Sequence, residues 1–246
     1  MNFSKVDELR AKLKTLRPLN TAELKRLRGE FSVENTYNSN AIEGNSLTLR
    51  ETALVLEGVT IAEKPMKDHL EAIGHKEAFD FVTELADKDA PLTESVIKQI
   101  HTLVLMHDRQ NSGIYRSIPV TISGAVHTPP QPYLVSPQME LLTADYQKLK
   151  TERHIIEAAA EFHLRFEGVH PFIDGNGRTG RLILNLELIK AGLLPINIKF
   201  TDRRKYYESF DHYYGKEHST KTLTALINAY EIEELERYIN MLEGKQ

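Results

Sequence analysis

Apolar residues recur every three or four positions through the first part of the chain, with polar residues between them. Two stripes have this spacing: Val6, Leu9, Leu13 and Leu16, then Leu24, Leu27 and Phe31. The pattern predicts two amphipathic helices. Asn20 or Thr21 can cap the second helix, and Gly44 with Asn45 is a typical helix-ending pair. The second helix is therefore expected to run close to residue 43.

The helical spacing continues over the next sixty residues. Thr48 and Glu51 form the sequence pattern of a capping box at the start of a short helix. A longer helix is predicted after Pro65 and ends near Asp87. Another is predicted to start at residues 91–93 and to end at about residue 107.

The pattern changes between residues 112 and 135. This segment, SGIYRSIPVTISGAVHTPPQPYLV, contains six Pro or Gly residues and many β-branched residues. The combination favours a short β-hairpin, predicted over residues 118–127. Ser136 followed by Pro137 predicts the start of the next helix.

Two strongly apolar helices are predicted in the second half of the chain. Residues 155–166 are rich in alanine and apolar on most sides, with Gly168 as the expected end. Residues 182–189 are apolar nearly all round. Further helices follow, with Tyr206 and Tyr207 on the first of them. The chain is therefore predicted to be all-α, with one small hairpin.

Composition narrows the class of protein. The 246 residues carry a net charge of −4 and 41% hydrophobic residues, as expected for one large domain or a domain with a helical extension. Lys and Arg are dispersed, which argues against a nucleic-acid partner. We find no signal sequence, spanning segment or cysteine. We therefore expect a cytoplasmic protein with no membrane association.

The loop between the two apolar helices contains an unusual density of polar chemistry. Its sequence from residue 170 is HPFIDGNGRTGR. Gly175, Asn176 and Gly177 tolerate backbone angles that point successive amides into one concavity, which favours anions. The helix dipole and the guanidinium groups of Arg178 and Arg181 add positive charge on one face. The pattern predicts a phosphate-binding site.

The same loop carries two residues suited to reaction chemistry. Asp174 is a hard oxygen ligand for Mg²⁺. His170 is the loop residue that can accept a proton near neutral pH. Each feature taken alone is more often structural, but their combination before a buried helix favours a nucleotide site with a general base.

The loop resembles, position for position, the signature HxFx(D/E)GNGRxxR of Fic-domain proteins. The residues GIYR at 113–116, the segment around His127 and the tyrosine pair are similarly placed, so the resemblance covers roughly residues 60–230. It implies an all-α Fic fold, a helical bundle around a central helix–loop–helix with a hairpin flap. It also implies a division into an N-terminal helical region, residues 1–60, and a catalytic core, residues 61–246.

The resemblance assigns a role to each motif residue. His170 would deprotonate a target hydroxyl that attacks the α-phosphate of ATP, and Asp174 would hold Mg²⁺. The residues expected to contact the phosphates are Gly175, Asn176, Gly177, Arg178 and Arg181. Phe172 would point into the core and fix the loop.

A second Fic motif, (S/T)xxxE(G/N), matches SNAIEG at residues 39–44. In the family this motif lies on an inhibitory helix, which here implies that Ser39 and Glu43 restrain Arg181. An ordinary amphipathic helix ending at Gly44 is the alternative reading. In some family members the same glutamate supports removal of AMP, and that alternative stays open.

Other parts of the resemblance concern target and base recognition. Val126 and His127 on the hairpin are candidates to clamp a target side chain, the alternative being a purely structural hairpin. Tyr206 or Tyr207 would flank the adenine, the alternative being two core residues. Tyr214 stands where the family often has an adenine-reading asparagine, so base preference is open.

The expected function is therefore transfer of AMP from ATP to a Ser, Thr or Tyr hydroxyl of a target protein or of the chain itself. Two alternatives remain: transfer of another phosphate-containing group, or a nucleotide-sensing module without turnover. The resemblance also makes a homodimer one expected assembly. The identity of the target does not follow from the sequence.

Overall fold

A computed structural model of the chain describes residues 1–16, 18 and 21–244, without the side chains of residues 21, 22, 24 and 25. Its helices are α1 Ser4–Thr15, α2 Thr21–Ile42, α3 Leu49–Leu56, α4 Met66–Asp87, α5 Glu94–Val104, α6 Pro132–Glu152, α7 Ile155–Val169, α8 Asn176–Lys190, α9 Arg203–Tyr214 and α10 Lys221–Leu242. A short 3-10 helix, Phe200–Asp202, precedes α9. The predicted all-α class is confirmed.

Helices α7 and α8 form the centre of the molecule. They pack against each other, α4 and α5 cover α8, and α6 and α10 cover α7. Leu182 and Leu186 of α8 join one apolar cluster, while Leu184 and Leu188 join a second cluster on the other side. Because α8 is buried on both sides, the loop that precedes it has rigid support.

The N-terminal helices pack onto this centre. Helix α1 contacts α10, and α2 lies against α3 and α4. Phe31 of α2 enters the first apolar cluster and Ile42 enters the second. The predicted capping box between Thr48 and Glu51 at the start of α3 is confirmed. The end of α2 is thereby held against the core.

The caps predicted for α2 cannot be compared in full. Asn20 lies outside the described residues, as do the side chains of Thr21 and Leu24. The predicted end of the helix is close to the observed one, because α2 ends at Ile42 and Gly44 has a φ of 92°. Glycine adopts this left-handed conformation without the steric cost of a Cβ atom.

The predicted hairpin is not formed. Among the described residues none is in a β-strand, and residues 118–127 are extended or turn segments. A turn hydrogen bond joins the amide of Ala125 to the carbonyl of Ile122 at 3.2 Å. Two isolated strands gain little stability on their own, and the prolines at 119, 129 and 130 donate no backbone hydrogen bond. The Pro, Gly and β-branched residues of this segment therefore form a loop.

Two helix boundaries also differ from the sequence prediction. Helix α6 begins at Pro132, and Pro137 lies inside it. Pro132 occupies the first position of the helix, where proline is favoured, although Gln131 makes no side-chain cap. Pro137 is exposed, so the hydrogen bond that it cannot donate is lost on the solvent side. Helix α7 continues past Gly168 to Val169.

Among the described helices, none has the length and hydrophobicity needed to cross a bilayer.

Candidate active site

His170 ends helix α7 in a left-handed conformation, with φ 48° and ψ 60°. Its amide donates to the carbonyl of Phe166 at 3.0 Å, which closes the last helical turn. This conformation is uncommon for a residue with a Cβ atom and costs about 1–2 kcal/mol. It places the imidazole ring on the wall of the cleft described below.

The imidazole of His170 is neutral at neutral pH. Burial, the largest cause, lowers its pKa to about 4, and the charges of Arg116 add to this effect. The carbonyl of Glu167 and the carboxylate of Glu43 act in the opposite direction. A neutral imidazole has a lone pair, so His170 can accept a proton.

Residues 170–177, which join α7 to α8 and include the start of α8, form the anion loop. Gly175 in this loop has a φ of 77°, a conformation that favours a residue without Cβ. The first amides of α8 have no acceptor within the helix and carry the positive end of its dipole. Gly175, Asn176 and Gly177 line the cleft. The side chain of Asn176 instead points inward, accepting from the amide of Phe172 and donating to its carbonyl, both at 2.9 Å. Asn176 thus fixes the loop through its side chain and offers its backbone to the cleft.

His101 supports the same loop from helix α5. Its ring is stacked on Phe172 at 3.6 Å, and its Nδ1 accepts from the amide of Gly113 at 2.8 Å. Nε2 therefore carries the proton and donates to the carbonyl of Asp174 at 2.9 Å. Burial lowers the pKa of His101 to about 4, which is consistent with a neutral, structural imidazole. Phe172 is fully buried.

Arg116 connects His170 to the segment predicted as a hairpin, residues 118–127. Its Nε donates to the carbonyl of His170 at 2.8 Å. Its other nitrogens donate to the carbonyls of Ile118 at 3.1 Å, Pro130 at 2.6 Å and Val169 at 3.4 Å. One buried guanidinium therefore holds the end of α7 and both ends of residues 118–130, which form the flap segment.

Arg178 and Asp174 form one charged group at the start of α8. Arg178 is buried and lies 3.0 Å from Glu71 Oε1 and 3.2 Å from Asp174 Oδ1. Asp174 also accepts from the amide of Gly175 at 2.6 Å. Burial works against ionisation of Asp174, yet Arg178, this amide and Lys67 lower its pKa below the ordinary value. Asp174 is therefore a carboxylate at neutral pH.

This carboxylate fits a hard divalent cation. The Asp174 side chain is 47% exposed and lines the cleft beside Gly175, Asn176 and Gly177. Ligand atoms of Glu71, His107 and Asp174 lie within 4.8 Å of one another. Mg²⁺ is commonly held by one or two carboxylates together with substrate phosphates. The residues present suit that arrangement, with Asp174 as the ligand that faces the cleft.

Arg181 is held by the end of helix α2. Its Nε donates to Ser39 Oγ at 3.0 Å, and its Nη2 donates to the Ser39 carbonyl and to Glu43 Oε1, both at 2.8 Å. The buried Tyr206 hydroxyl is 3.3 Å from Arg181 Nη1. Glu43 reaches over Gly177, where a Cβ atom would lie 2.2 Å from Glu43 Oε1. The structure thus brings Ser39, Glu43 and Arg181 together at the anion loop.

These elements surround a cleft of about 580 Å³, a volume suited to a nucleotide-sized ligand. Glu43, His170 and Asp174 line it, but Arg178 and Arg181 lie behind the lining residues. Tyr206 is 1% exposed and its hydroxyl is 2.8 Å from His163 Nε2. Tyr207 is 42% exposed and donates to the carbonyl of Ile42 at 3.2 Å. Of the tyrosine pair, only Tyr207 therefore offers an open ring face at the cleft.

The flap residues occupy different surroundings. His127 lines the cleft and stacks on Tyr214 at 3.9 Å. Val126 is 59% exposed and lies outside the cleft lining. Tyr214 is not among the lining residues either, and its hydroxyl donates to the carbonyl of Leu164 at 2.8 Å. Gly168 is required beneath it, because a Cβ there would lie 1.7 Å from the Tyr214 oxygen.

Several residues of the site were not identified from the sequence as functional. Arg203 and Asp211 of α9 line the cleft, and so does Glu167 of α7. Glu167 is 9% exposed. Its i,i+3 spacing from His170 was the sequence feature that could have indicated that the two side chains lie close together. Ser39 and Glu43 are distant from Arg181 in sequence, so only the motif that contains them predicted this contact.

Comparisons with known proteins agree with the geometry. A model of the Fic/DOC family matches residues 91–188, which include α5, the anion loop and most of α8. A protein of Nematostella vectensis named protein adenylyltransferase Fic is 39% identical over 214 residues, 84% of this chain and 48% of that protein. The chain therefore spans about half the length of the curated relatives it matches.

Solved structures extend the likeness to the whole fold. A Fic-domain-containing signalling protein from Bacteroides thetaiotaomicron has a TM-score of 0.88 at 30% identity, with 98% of each chain covered. Fic-1 from C. elegans has a TM-score of 0.86 at 28% identity, covering 98% of this chain and 72% of that one. Both coverages include the N-terminal helices as well as the region matched by the family model.

Proposed function

This chain belongs to the Fic/DOC family, and from that premise we propose that it transfers AMP from ATP to a hydroxyl side chain of a protein. The observation that carries the proposal is a neutral His170 facing a cleft whose floor is the open N-terminus of α8. A base beside an anion site suits attack of a hydroxyl on a phosphate. The matched relatives named protein adenylyltransferase support the same reaction.

In the proposed reaction the triphosphate binds over the first turn of α8. The backbone amides of Gly175, Asn176 and Gly177 donate to phosphate oxygens, and the helix dipole contributes to the attraction. Arg178 and Arg181 lie just behind this turn and supply positive charge. Tyr207 and Asp211 line the cleft on α9 and are available to the adenosine end of the ligand.

The step itself balances without a further reactant. The oxygen of the target hydroxyl bonds to the α-phosphorus while the bond from that phosphorus to the bridging oxygen of diphosphate breaks. The hydroxyl proton passes to Nε2 of His170, and diphosphate leaves with the bonding electron pair. Positioning and charge neutralisation supply most of the acceleration in reactions of this type.

Asp174 is the residue proposed to hold Mg²⁺, with Glu71 and His107 close enough to take part. The cation would neutralise charge on the phosphates. Until ATP binds, the partners of Asp174 are the amide of Gly175, Arg178 and Lys67. Transfer is accordingly expected to stop when a chelator removes divalent cations.

We further propose that Glu43 inhibits the reaction. Its carboxylate is 2.8 Å from Arg181 and overlies Gly177, where a phosphate would approach the amides. A triphosphate therefore meets a negative charge and a guanidinium that already has a partner. Release of Glu43 would remove the negative charge from the phosphate site and leave Arg181 free to attract the triphosphate. The ion pair is therefore the proposed control of nucleotide binding.

The flap segment is proposed to receive the target. Most of residues 118–127 are exposed, and Arg116 holds the carbonyls of Ile118 and Pro130 on either side of the exposed stretch. An extended target segment could pair with this backbone as an added strand. The extended geometry predicted for residues 118–127 would then form only when the target is bound. Val126 and His127 are proposed to contact the target side chain beside His170. A second molecule of the chain is included among the targets.

Intact-mass measurement tests the proposal. The Glu43→Gly protein is incubated with ATP and Mg²⁺, alone and with cell lysate, and modified proteins are identified by mass. The expected result is a gain of one AMP, reduced about 10²–10⁴-fold by His170→Ala, as for loss of a general base. Glu161→Ala, on the same helix and away from the cleft lining, is the matched control.

Other results would identify the alternatives. A gain of a different mass would indicate transfer of another phosphate-containing group. Loss of AMP from a modified protein that depends on Glu43 would indicate removal of AMP. Nucleotide binding without any change of mass, even for the Glu43→Gly protein, would indicate a sensing module and would reject transfer.

A further inference from the structure

The Glu167 carboxyl group lies beside the proposed base, His170, and has no role in the reaction proposed above. Glu167 is one helical turn before His170 on α7, and its side chain is about nine-tenths buried. Its Oε2 lies 3.9 Å from His170 Nδ1. Glu167 also lines the cleft. A buried carboxyl at this position calls for a physical reason, because burial of an acid is costly without partners.

Packing does not supply that reason. Glu167 Oε1 and His170 Nδ1 are both buried and both lack a hydrogen-bond partner. An apolar side chain of similar size at position 167 would fill the same volume without the cost of burying a carboxyl group with an unpaired oxygen. Gly180 leaves room for this carboxyl group and for His163, since a Cβ there would lie 2.8 Å from Glu167 Oε1 and 2.9 Å from the His163 ring.

The backbone directs the imidazole toward this carboxyl group. The left-handed conformation of His170 turns its ring back across the last turn of α7, so that Nδ1 faces Glu167. Arg116 fixes the His170 carbonyl at 2.8 Å and so holds the residue in this conformation. The separation of 3.9 Å is longer than a hydrogen bond, so Oε2 must approach Nδ1 by about 1 Å for one to form.

We propose that Glu167 is a positioning residue for His170. An oxygen of its carboxyl group accepts a hydrogen bond from Nδ1–H, which leaves the lone pair on Nε2 facing the target hydroxyl. The ring is then held in the tautomer and orientation that a general base needs. This inference rests on the proposed function only in that His170 is the base.

The charges around Glu167 are compatible with this role. The titratable groups that face it are Glu43 at the end of α2, His163 and His170 of α7, Arg181 of α8, Tyr206 of α9 and nearby Tyr214. Burial, and after it the Glu43 carboxylate, raise the pKa of Glu167 to about 8. At neutral pH the group is therefore largely a neutral acid, whose carbonyl oxygen still accepts a hydrogen bond.

The backbone carbonyl of Glu167 is the rival acceptor for the same proton, since it also raises the pKa of His170. Side-chain substitutions separate the two, because they leave the carbonyl in place. Glu167→Leu removes the carboxyl group and keeps its bulk. Glu167→Gln keeps an acceptor oxygen. Both are made in the Glu43→Gly protein, with Glu161→Leu on the same helix as the control.

Kinetics form the first part of the test. Glu167→Leu is expected to lower kcat by about 10–100-fold, the usual effect of losing an orienting partner, with the KM for ATP nearly unchanged. Glu167→Gln is expected to recover most of this loss, and Glu161→Leu to show none of it. An unchanged kcat in a folded Glu167→Leu protein would mean that the carbonyl suffices and would overturn the proposal.

The tautomer of His170 is the second part and does not depend on turnover. Nitrogen NMR of ¹⁵N-histidine-labelled protein with a non-hydrolysable ATP analogue should show the proton on Nδ1, with a mixture of tautomers in Glu167→Leu. A proton on Nε2 in the unsubstituted protein would overturn the proposal, even if the leucine variant does not fold. Should no variant transfer AMP, the proposed function fails and the tautomer still decides the role of Glu167.

Discussion

Glu43 Oε1 lies 2.8 Å from Arg181 Nη2, and the two groups meet over Gly177 in the first turn of α8. The pair joins the end of one helix to the start of another across 138 positions of sequence. It occupies the approach to the amides proposed to bind phosphate. Two predictions test what this contact does.

Glu43→Gly should raise ATP affinity by about tenfold or more, equivalent to ~1.4 kcal/mol, because a competing carboxylate leaves the site. The unliganded protein should lose about 1–2 kcal/mol of stability, since buried Arg181 loses a charged partner that is itself one-third exposed. Calorimetric titration and urea unfolding measure the two effects. Glu57→Gly, at the exposed end of α3, is the control, and equal ATP affinity in both variants would refute the switch.

Gly177→Ala should remove the stabilising effect of Glu43. A Cβ at Gly177 would lie 2.2 Å from Glu43 Oε1, so the carboxylate must move away from Arg181. In the Glu43→Gly background the same change should cost much less, because the remaining close contact of the Cβ is Arg181 Nη1 at 3.0 Å and the helix preference of Ala of about 1 kcal/mol offsets it. A double-mutant cycle in urea measures the difference.

Gly29→Ala provides the reference for that cycle, because a Cβ at Gly29 meets nothing within 4 Å. It should stabilise α2 by about 1 kcal/mol whether or not Glu43 is present. Additivity of Gly177→Ala with Glu43→Gly would show that the two residues do not interact in solution.

Arg116→Lys should destabilise the protein by about 2–4 kcal/mol despite the retained charge. Arg116 donates to four carbonyls at the end of α7 and at both ends of the flap segment, and one ammonium group cannot reach all of them. Urea unfolding gives the loss, and proteolysis should locate the first opening at residues 118–130. Arg109→Lys, at an exposed position, should be neutral.

Stability should be greatest near pH 6.5 and fall on both sides. Four histidines have pKa values lowered to about 3 or about 4, chiefly by burial: His75, His101, His163 and His170. Two glutamates have pKa values raised to about 8, chiefly by burial: Glu167 and Glu231. Below pH 6.5 the unfolded chain takes up protons on the histidines that the folded protein excludes, so stability falls as the pH falls.

Above pH 6.5 the folded protein holds two glutamate protons that the unfolded chain has already released, so stability falls as the pH rises toward 8. Urea unfolding between pH 5 and pH 8.5 measures both limbs. Glu231→Gln, remote from the cleft, should reduce the alkaline fall by about half. A flat profile above pH 6.5 would show that the two carboxyl groups are not held as neutral acids.

Much of the fold followed from the apolar spacing. The periodic stripes predicted α1, α2, α4 and the central pair, and the capping box predicted the start of α3. Where the prediction failed, local signals were ambiguous. Pro132 and Pro137 both follow residues that can start a helix, and only the packing of Val135 in the core selects the first.

The hairpin prediction failed for a different reason. Turn residues and β-branched residues indicate where a strand can form, but a ladder also needs a neighbouring backbone. No such backbone adjoins residues 118–127 in the described part of the chain, where Arg116 provides the fixed contacts instead. A long-range side chain of this kind leaves no periodic signal in the sequence.

The motif indicated which residues gather at the site but not which way they face. The Asn176 side chain and the Arg178 guanidinium lie inward, so they act on the cleft through the backbone and through charge. Tyr206 is likewise buried, while its neighbour Tyr207 stays accessible. Burial of adjacent residues depends on helix packing from α2 and α10, which a twelve-residue motif does not encode.

The carboxylate that faces Arg181 is covalently part of the same polypeptide. The proposed competition with a triphosphate would therefore be intramolecular, and dilution of the protein would not weaken it. Under this proposal, the supply of nucleotide or a binder that moves the end of α2 would shift the balance. A molecule built in this way would respond to the energy charge of its surroundings independently of its own abundance.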